Sequence, residues 1–172
     1  MADLAGRLPD TPAPDRLRVL EGLALLWHDH WDAAHEIAQS REGDPDHDLL
    51  HAILHRREGD FANAGYWFGG SGNHASYPLL ARRLSLLSAE GLLAAGLQQE
   101  RWSARVFLAA VRTRSEGARD GRAPAFSGSS TSSTSSTSSA SSASSASPTE
   151  ATLVLVQAEE FHAFADYLIG VS

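Results

Sequence analysis

Apolar residues recur at helical spacing along most of this chain. From Asp15 to about Trp27, Leu17, Leu20, Leu23, Ala24 and Trp27 fall on one face. Pro14 suits the first turn of that helix and Asp15 its positive end. Trp31 to about Gln39 carries Trp31, Ala34, His35 and Ala38 on one stripe, and the polar run SREGD at residues 40–44 ends it. Asp44 followed by Pro45 is a start signal for a third helix running to about Arg57. A fourth spans about Phe61 to Phe68 and stops at Gly69, Gly70 and Gly72. Leu79 to about Leu97 is a further segment, with Gly91 and Gly96 as weak points. Gln98 to about Arg114 is another, carrying Trp102, Val106, Phe107 and Ala110. Ser147-Pro148-Thr149-Glu150 matches a capping box and opens a last helix with Leu153, Val154, Gln157, Phe161, Phe164 and Leu168 on its apolar face. The pattern predicts an all-α fold, a compact bundle of about six or seven helices.

The first four helices form two similar halves. Sliding residues 20–68 against themselves by thirty positions sets Leu20 on Leu50, Gly22 on Ala52, Leu23 on Ile53, Trp31 on Phe61 and Ala34 on Ala64. Each half is an apolar run, a short polar step (His28-Asp29-His30 or Glu58-Gly59-Asp60), an aromatic residue, and a small residue three further on. Two helices sharing a tight corner are written this way.

The domain organisation follows from shifts in composition. Residues 1–14, with Pro9, Pro12 and Pro14, read as a flexible N-terminal arm, and 15–114 as the helical domain. Residues 115–146 contain the run FSGSSTSSTSSTSSASSASSAS, too poor in apolar side chains to offset its ordering entropy. They are expected to be a disordered linker. Residues 147–172 then form a helix so apolar that it must dock, most simply on the helical domain, although the linker would also let it reach a neighbouring molecule.

The formal charge of −7 gives no reason to expect nucleic acid or an anionic membrane surface as partner. Its distribution is uneven: residues 1–78 carry −7, residues 79–149 carry +4 and residues 150–172 carry −4. An Arg-bearing middle facing acidic flanks is the obvious internal use. The absence of cysteine excludes disulfides and thiolate metal sites. MADLAGRLPD lacks the pattern of an export signal and no run has the length of a membrane span, so a soluble cytoplasmic protein is expected.

Candidate chemistry centres on histidine, since seven of the eight lie between residues 28 and 74. His47, His51 and His55 are spaced by four and line one helix face, which hairpin packing could bring near His35 and Glu36. Imidazoles and a carboxylate on facing helices are how bundles assemble zinc or iron sites. His35, Glu36, His51 and His55 are therefore the metal candidates, and His35, Glu36 and His55 the candidates for acid–base work. No HExxH motif is present, and histidines also pack structurally at helix contacts. Arg56 and Arg57, near the start of the fourth helix, are candidates for anion binding, and Asn63 for a bond to a ligand or a corner carbonyl. Trp31, Phe61, Trp67 and Phe68 read as core. Gly69-Gly70-Ser71-Gly72 lacks the Lys and the preceding strand of a phosphate loop.

REGDFANAGYWF and WHDHWDAAHEIAQ resemble helix-turn-helix units of the tetratricopeptide or Sel1-like kind. Gly59, Asp60, Phe61, Ala64 and Phe68 match that pattern, while the first unit has Asp29, His30, Trp31 and Ala34 and lacks the Gly. The combination WDAAHE…LLHAILHRREGDxxNAxYWF resembles a family of uncharacterised helical proteins, and Ala34-His35-Glu36 with the Leu50–His55 helix is more distantly similar to AHE-bearing proteins of the DUF309 type. These resemblances imply an all-α fold and attach no reaction. Two functions are expected from the sequence. The leading one is a non-enzymatic scaffold that binds a protein or peptide partner, with no cofactor. The alternative is a metal-binding (zinc or iron) or small-ligand protein, with hydrolysis as its candidate reaction, in which the histidines converge on one cavity.

Overall fold

The computed structural model describes residues 12–94, 97, 102–119 and 148–171. Among these, the chain forms eight helices and no strand: α1 Pro14–Trp27, α2 Trp31–Gln39, α3 Pro45–Glu58, α4 Phe61–Ser71, α5 Tyr77–Leu84, α6 Ala89–Ala94, α7 Ala104–Arg119 and α8 Pro148–Ile169. No helix of the described residues is long and apolar enough to cross a membrane.

The two halves detected by the thirty-residue offset turn their corners in the same way. Between α1 and α2, Asp29 adopts φ +60° and the His30 N–H donates to the Leu25 carbonyl at 2.9 Å. Between α3 and α4, Gly59 adopts φ +86° and the Asp60 N–H donates to the His55 carbonyl, also at 2.9 Å. Each corner thus ends a helix with a left-handed residue and a bond reaching back five residues. The glycine missing from the first unit is replaced by aspartate, one of the few side chains that tolerates this conformation. Ala34 and Ala64, three residues after the aromatics, are both fully buried.

Helix α3 is the centre of the bundle, packed on α1, α2 and α4. Asp44 caps it, accepting from the backbone N–H groups of Asp46 at 3.0 Å and His47 at 3.3 Å, with Pro45 in its first turn. Every residue from His47 to Arg56 is buried, so its polar side chains must find partners inside the protein. Asp48 accepts from the Gly43 N–H at 3.0 Å, and His47 Nδ1 lies 3.2 Å from Asp44 Oδ1.

The second half of the chain closes over this centre. Helix α8 packs on α1, α5, α6 and α7 and buries Leu153, Val156, Phe161, Phe164 and Leu168. Arginines from four other helices meet its polar side. Arg56 of α3 forms a two-pronged pair with Glu160, Arg83 of α5 binds Glu159 and Asp166, Arg114 of α7 binds Glu150, and Arg16 of α1 donates to the Tyr167 hydroxyl. The charge asymmetry of the sequence is spent partly here, with Arg83 and Arg114 of the basic middle paired to the acidic last segment.

Three boundaries differ from the sequence reading. The segment expected from Leu79 to Leu97 is broken into α5 and α6, because the Ser85 hydroxyl donates to the Arg82 carbonyl at one end and Ser88 accepts from the Gly91 N–H at the other. Helix α7 starts at Ala104, after Ser103, rather than at Gln98; residues 98–101 lie outside the described residues. It runs on to Arg119, so residues 115–119, expected in the linker, are helical and carry the Arg112–Glu116 pair at 2.8 Å. The expected arm up to Thr11 and the Ser-rich run at 120–147 lie outside the described residues.

Candidate metal centre

The α2–α3 packing brings three imidazoles together. His35 comes from α2, and His51 and His55 stand one turn apart on α3. One ring nitrogen from each can be chosen so that all three lie within 4.8 Å of one another, a grouping of potential metal donors found nowhere else among the described residues. His35 Nε2 and His51 Nε2 are 2.9 Å apart, their rings edge to face. His51 and His55 stack at 4.7 Å between centroids, and Trp67 of α4 stacks on the other face of His51 at 4.1 Å. His51 is only 3% exposed, and its Nδ1 has no hydrogen-bond partner among the described residues.

The surroundings of His51 disfavour its charged form. Burial first, and then the neighbouring His55 and His35, lower the His51 pKa from 6.5 to about 4, so its imidazole is neutral at physiological pH. His55 is held at both nitrogens. Nδ1 lies 2.9 Å from Glu58 Oε2 and Nε2 lies 3.1 Å from Asn63 Nδ2. A carboxylate only accepts, so Nδ1 carries the proton and donates to Glu58, while Nε2 accepts from the Asn63 amide. Asn63 is itself fixed in the first turn of α4, where its backbone N–H donates to Asp60 at 3.0 Å.

The remaining candidates separate from this group. Glu36 is not among the converging donors; it lines an open pocket of about 390 Å³ with Trp31, Asp32, His35 and Glu58. His47 is taken by its helix cap, and His28 and His30 are exposed at the first corner. His74 is buried elsewhere, with Nε2 2.9 Å from Asp46 Oδ1 and Nδ1 2.8 Å from the Ser76 hydroxyl.

Neither arginine offers the free guanidinium that anion binding needs. Arg56 is fully buried against Glu160, with its guanidinium 4.8 Å from the Phe107 ring centre. Arg57 donates to the Leu26 carbonyl and to Asp29 at 2.8 Å, bracing the first corner against the second. Asn63 bonds a histidine rather than a corner carbonyl. Of the expected core aromatics Phe68 is buried, and Trp31, Phe61 and Trp67 are partly buried against the core.

Sequence reasoning missed Glu58 and Trp67 as neighbours of the imidazoles. Glu58 stands three residues after His55, a spacing that already places the two side by side on a helix. A scan against protein-family models, a search of curated proteins and a search of solved structures each return no match for this chain.

Proposed function

We propose that this protein binds a divalent transition-metal ion, zinc or iron in kind, through His35, His51 and His55. The observation that carries this reading is the convergence of their donor nitrogens within 4.8 Å on two packed helices. A tetrahedral zinc site with Zn–N of about 2.0–2.1 Å sets its nitrogens roughly 3.4 Å apart, between the 2.9 Å of the His35–His51 pair and the 4.8 Å that bounds the group. Neutral imidazoles suit both metals. An ion taking His55 Nε2 replaces the Asn63 amide there and leaves Glu58 on the opposite nitrogen. A carboxylate in that place orients a ligating histidine and raises its basicity.

A scaffold that binds a protein or peptide is the second reading. It would use the apolar groove of about 230 Å³ between α1 and α8, where Leu20, Leu23 and Ala24 meet Phe161 and Ala165 and Trp27 is half exposed. None of these residues belongs to the histidine group, so that reading leaves the buried imidazoles unexplained. Elemental mass spectrometry of purified, tag-free protein separates the two. The metal reading predicts zinc or iron near one equivalent, lost in a His51→Ala, His55→Ala double variant that still folds. Absence of metal from a protein that also fails to take up added zinc refutes it.

A further inference from the structure

What the centre is for depends on how much of an ion the protein would cover. Structural zinc sites surround the metal with four protein ligands, whereas catalytic sites leave one position for water or substrate. Here three donors converge and no fourth His, Asp or Glu among the described residues joins them. Two of the three, His51 and His55, are buried, and Trp67 closes off one face of His51. His35 is only partly buried and also lines the open pocket between α2 and the end of α3. His35 thus links the group to this pocket.

The walls of the pocket restrict what enters. Asp32 and Glu36 sit one turn apart on α2, and Glu58 faces them from α3. The guanidinium of Arg57 lies 5.2 Å from the Trp31 ring centre and is already bonded to Asp29 and the Leu26 carbonyl. An anionic group therefore meets carboxylates with no guanidinium among the described lining residues to offset them, while an ammonium group is favoured by the same charges and by the Trp31 ring. Of the three acids, Glu58 is committed to His55, whereas Glu36 is exposed and makes no hydrogen bond or ion pair with the described residues.

Resting on the metal reading above, we infer that the ion keeps one position open to this pocket, and that the centre hydrolyses esters or amides whose acyl part is uncharged or positively charged. In that reaction the oxygen of a water molecule bonds to the substrate carbonyl carbon, and the bond from that carbon to the leaving oxygen or nitrogen breaks. The water gives one proton to Glu36, which passes it to the leaving group, and no electron is exchanged. Glu58 acts through His55 as a positioning residue.

The test uses the full chain loaded with cobalt(II). Acetohydroxamic acid, uncharged at neutral pH, is added while the visible spectrum is followed. Hydrolysis is measured on nitrophenyl acetate (neutral), alanine nitroanilide (cationic) and mono-nitrophenyl succinate (anionic), with chelator-stripped protein as the blank. The expected results are a changed spectrum and metal-dependent cleavage of the neutral and cationic probes, with the anionic probe at least about tenfold slower. Glu36→Gln should lower kcat by about a hundredfold or more with cobalt stoichiometry and spectrum unchanged. Bound cobalt whose spectrum ignores the hydroxamate, or bound cobalt with no cleavage above the stripped protein, overturns the inference while leaving the metal reading intact. A chain that takes up no cobalt refutes that reading itself.

Discussion

His35 Nε2 and His51 Nε2 face each other at 2.9 Å across the α2–α3 contact. Two imidazole nitrogens at that distance share one proton, so one ring donates and the other accepts. A second proton has no acceptor to meet. His51 is the buried ring of this pair, and burial with the neighbouring imidazoles disfavours its charged form.

That relationship fixes a pH dependence for the metal-free protein. The folded-state pKa of His51, about 4, lies below its ordinary 6.5, so between these values the unfolded chain binds a proton that the folded one does not. Stability from this group is full above about pH 6.5 and falls as pH drops towards 4, by at most about 3 kcal/mol. Urea unfolding followed at several pH values should show this slope, and His51→Gln should flatten it. An unchanged slope in the variant would place the dependence elsewhere.

Arg56 and Glu160, 104 residues apart in sequence, form a fully buried pair that ties α8 to the central helix. Removing one partner strands a charge in the core. Arg56→Met or Glu160→Leu should each cost about 3–5 kcal/mol by denaturant unfolding, and the double variant R56M/E160L should recover most of that loss. Additive losses in the double variant would contradict this account.

Gly22 of α1 faces side chains of α2 and α3 at close range. A Cβ there would lie 2.6 Å from Leu50 Cδ2 and 3.0 Å from Ile37 Cγ2, both buried side chains with little room to move. Gly22→Ala should destabilise by about 1–3 kcal/mol although alanine is the better helix former. Gly65→Ala is the control. Its Cβ would meet only Leu108 Cδ2, at 3.6 Å, so the change should be neutral or stabilise by up to about 1 kcal/mol. Equal thermal midpoints for the two variants would dismiss the close contact.

The sequence made the two hairpins legible because each residue setting the corner recurs thirty positions on, down to Asp29 standing where Gly59 stands. It also made His35, His51 and His55 legible as a group, because a spacing of four fixes one helix face and a short corner brings the next helix against it. What it concealed was the depth of α3. A helix bearing His47, Asp48, His51, His55 and Arg56 reads as half solvated, yet all five are buried. Helix α8, from the far end of the chain, is what buries Arg56 against Glu160, and no local periodicity announces that cover. Glu36 was grouped with His35 because it is adjacent in sequence, but neighbours on a helix point about 100° apart. The carboxylate bonded to an imidazole is Glu58, while Glu36 lines the pocket beside His35. The break at Ser85–Ser88 escaped notice because leucine and alanine continue helical spacing on both sides of it.

The most direct test of the central claim is an anomalous difference map, collected at the zinc absorption edge, from crystals of the protein grown with one equivalent of zinc. The account predicts a single strong peak between the ring nitrogens of His35, His51 and His55, with the Asn63 amide withdrawn from His55. A map with no peak there, or with zinc bound only at surface carboxylates, would contradict it.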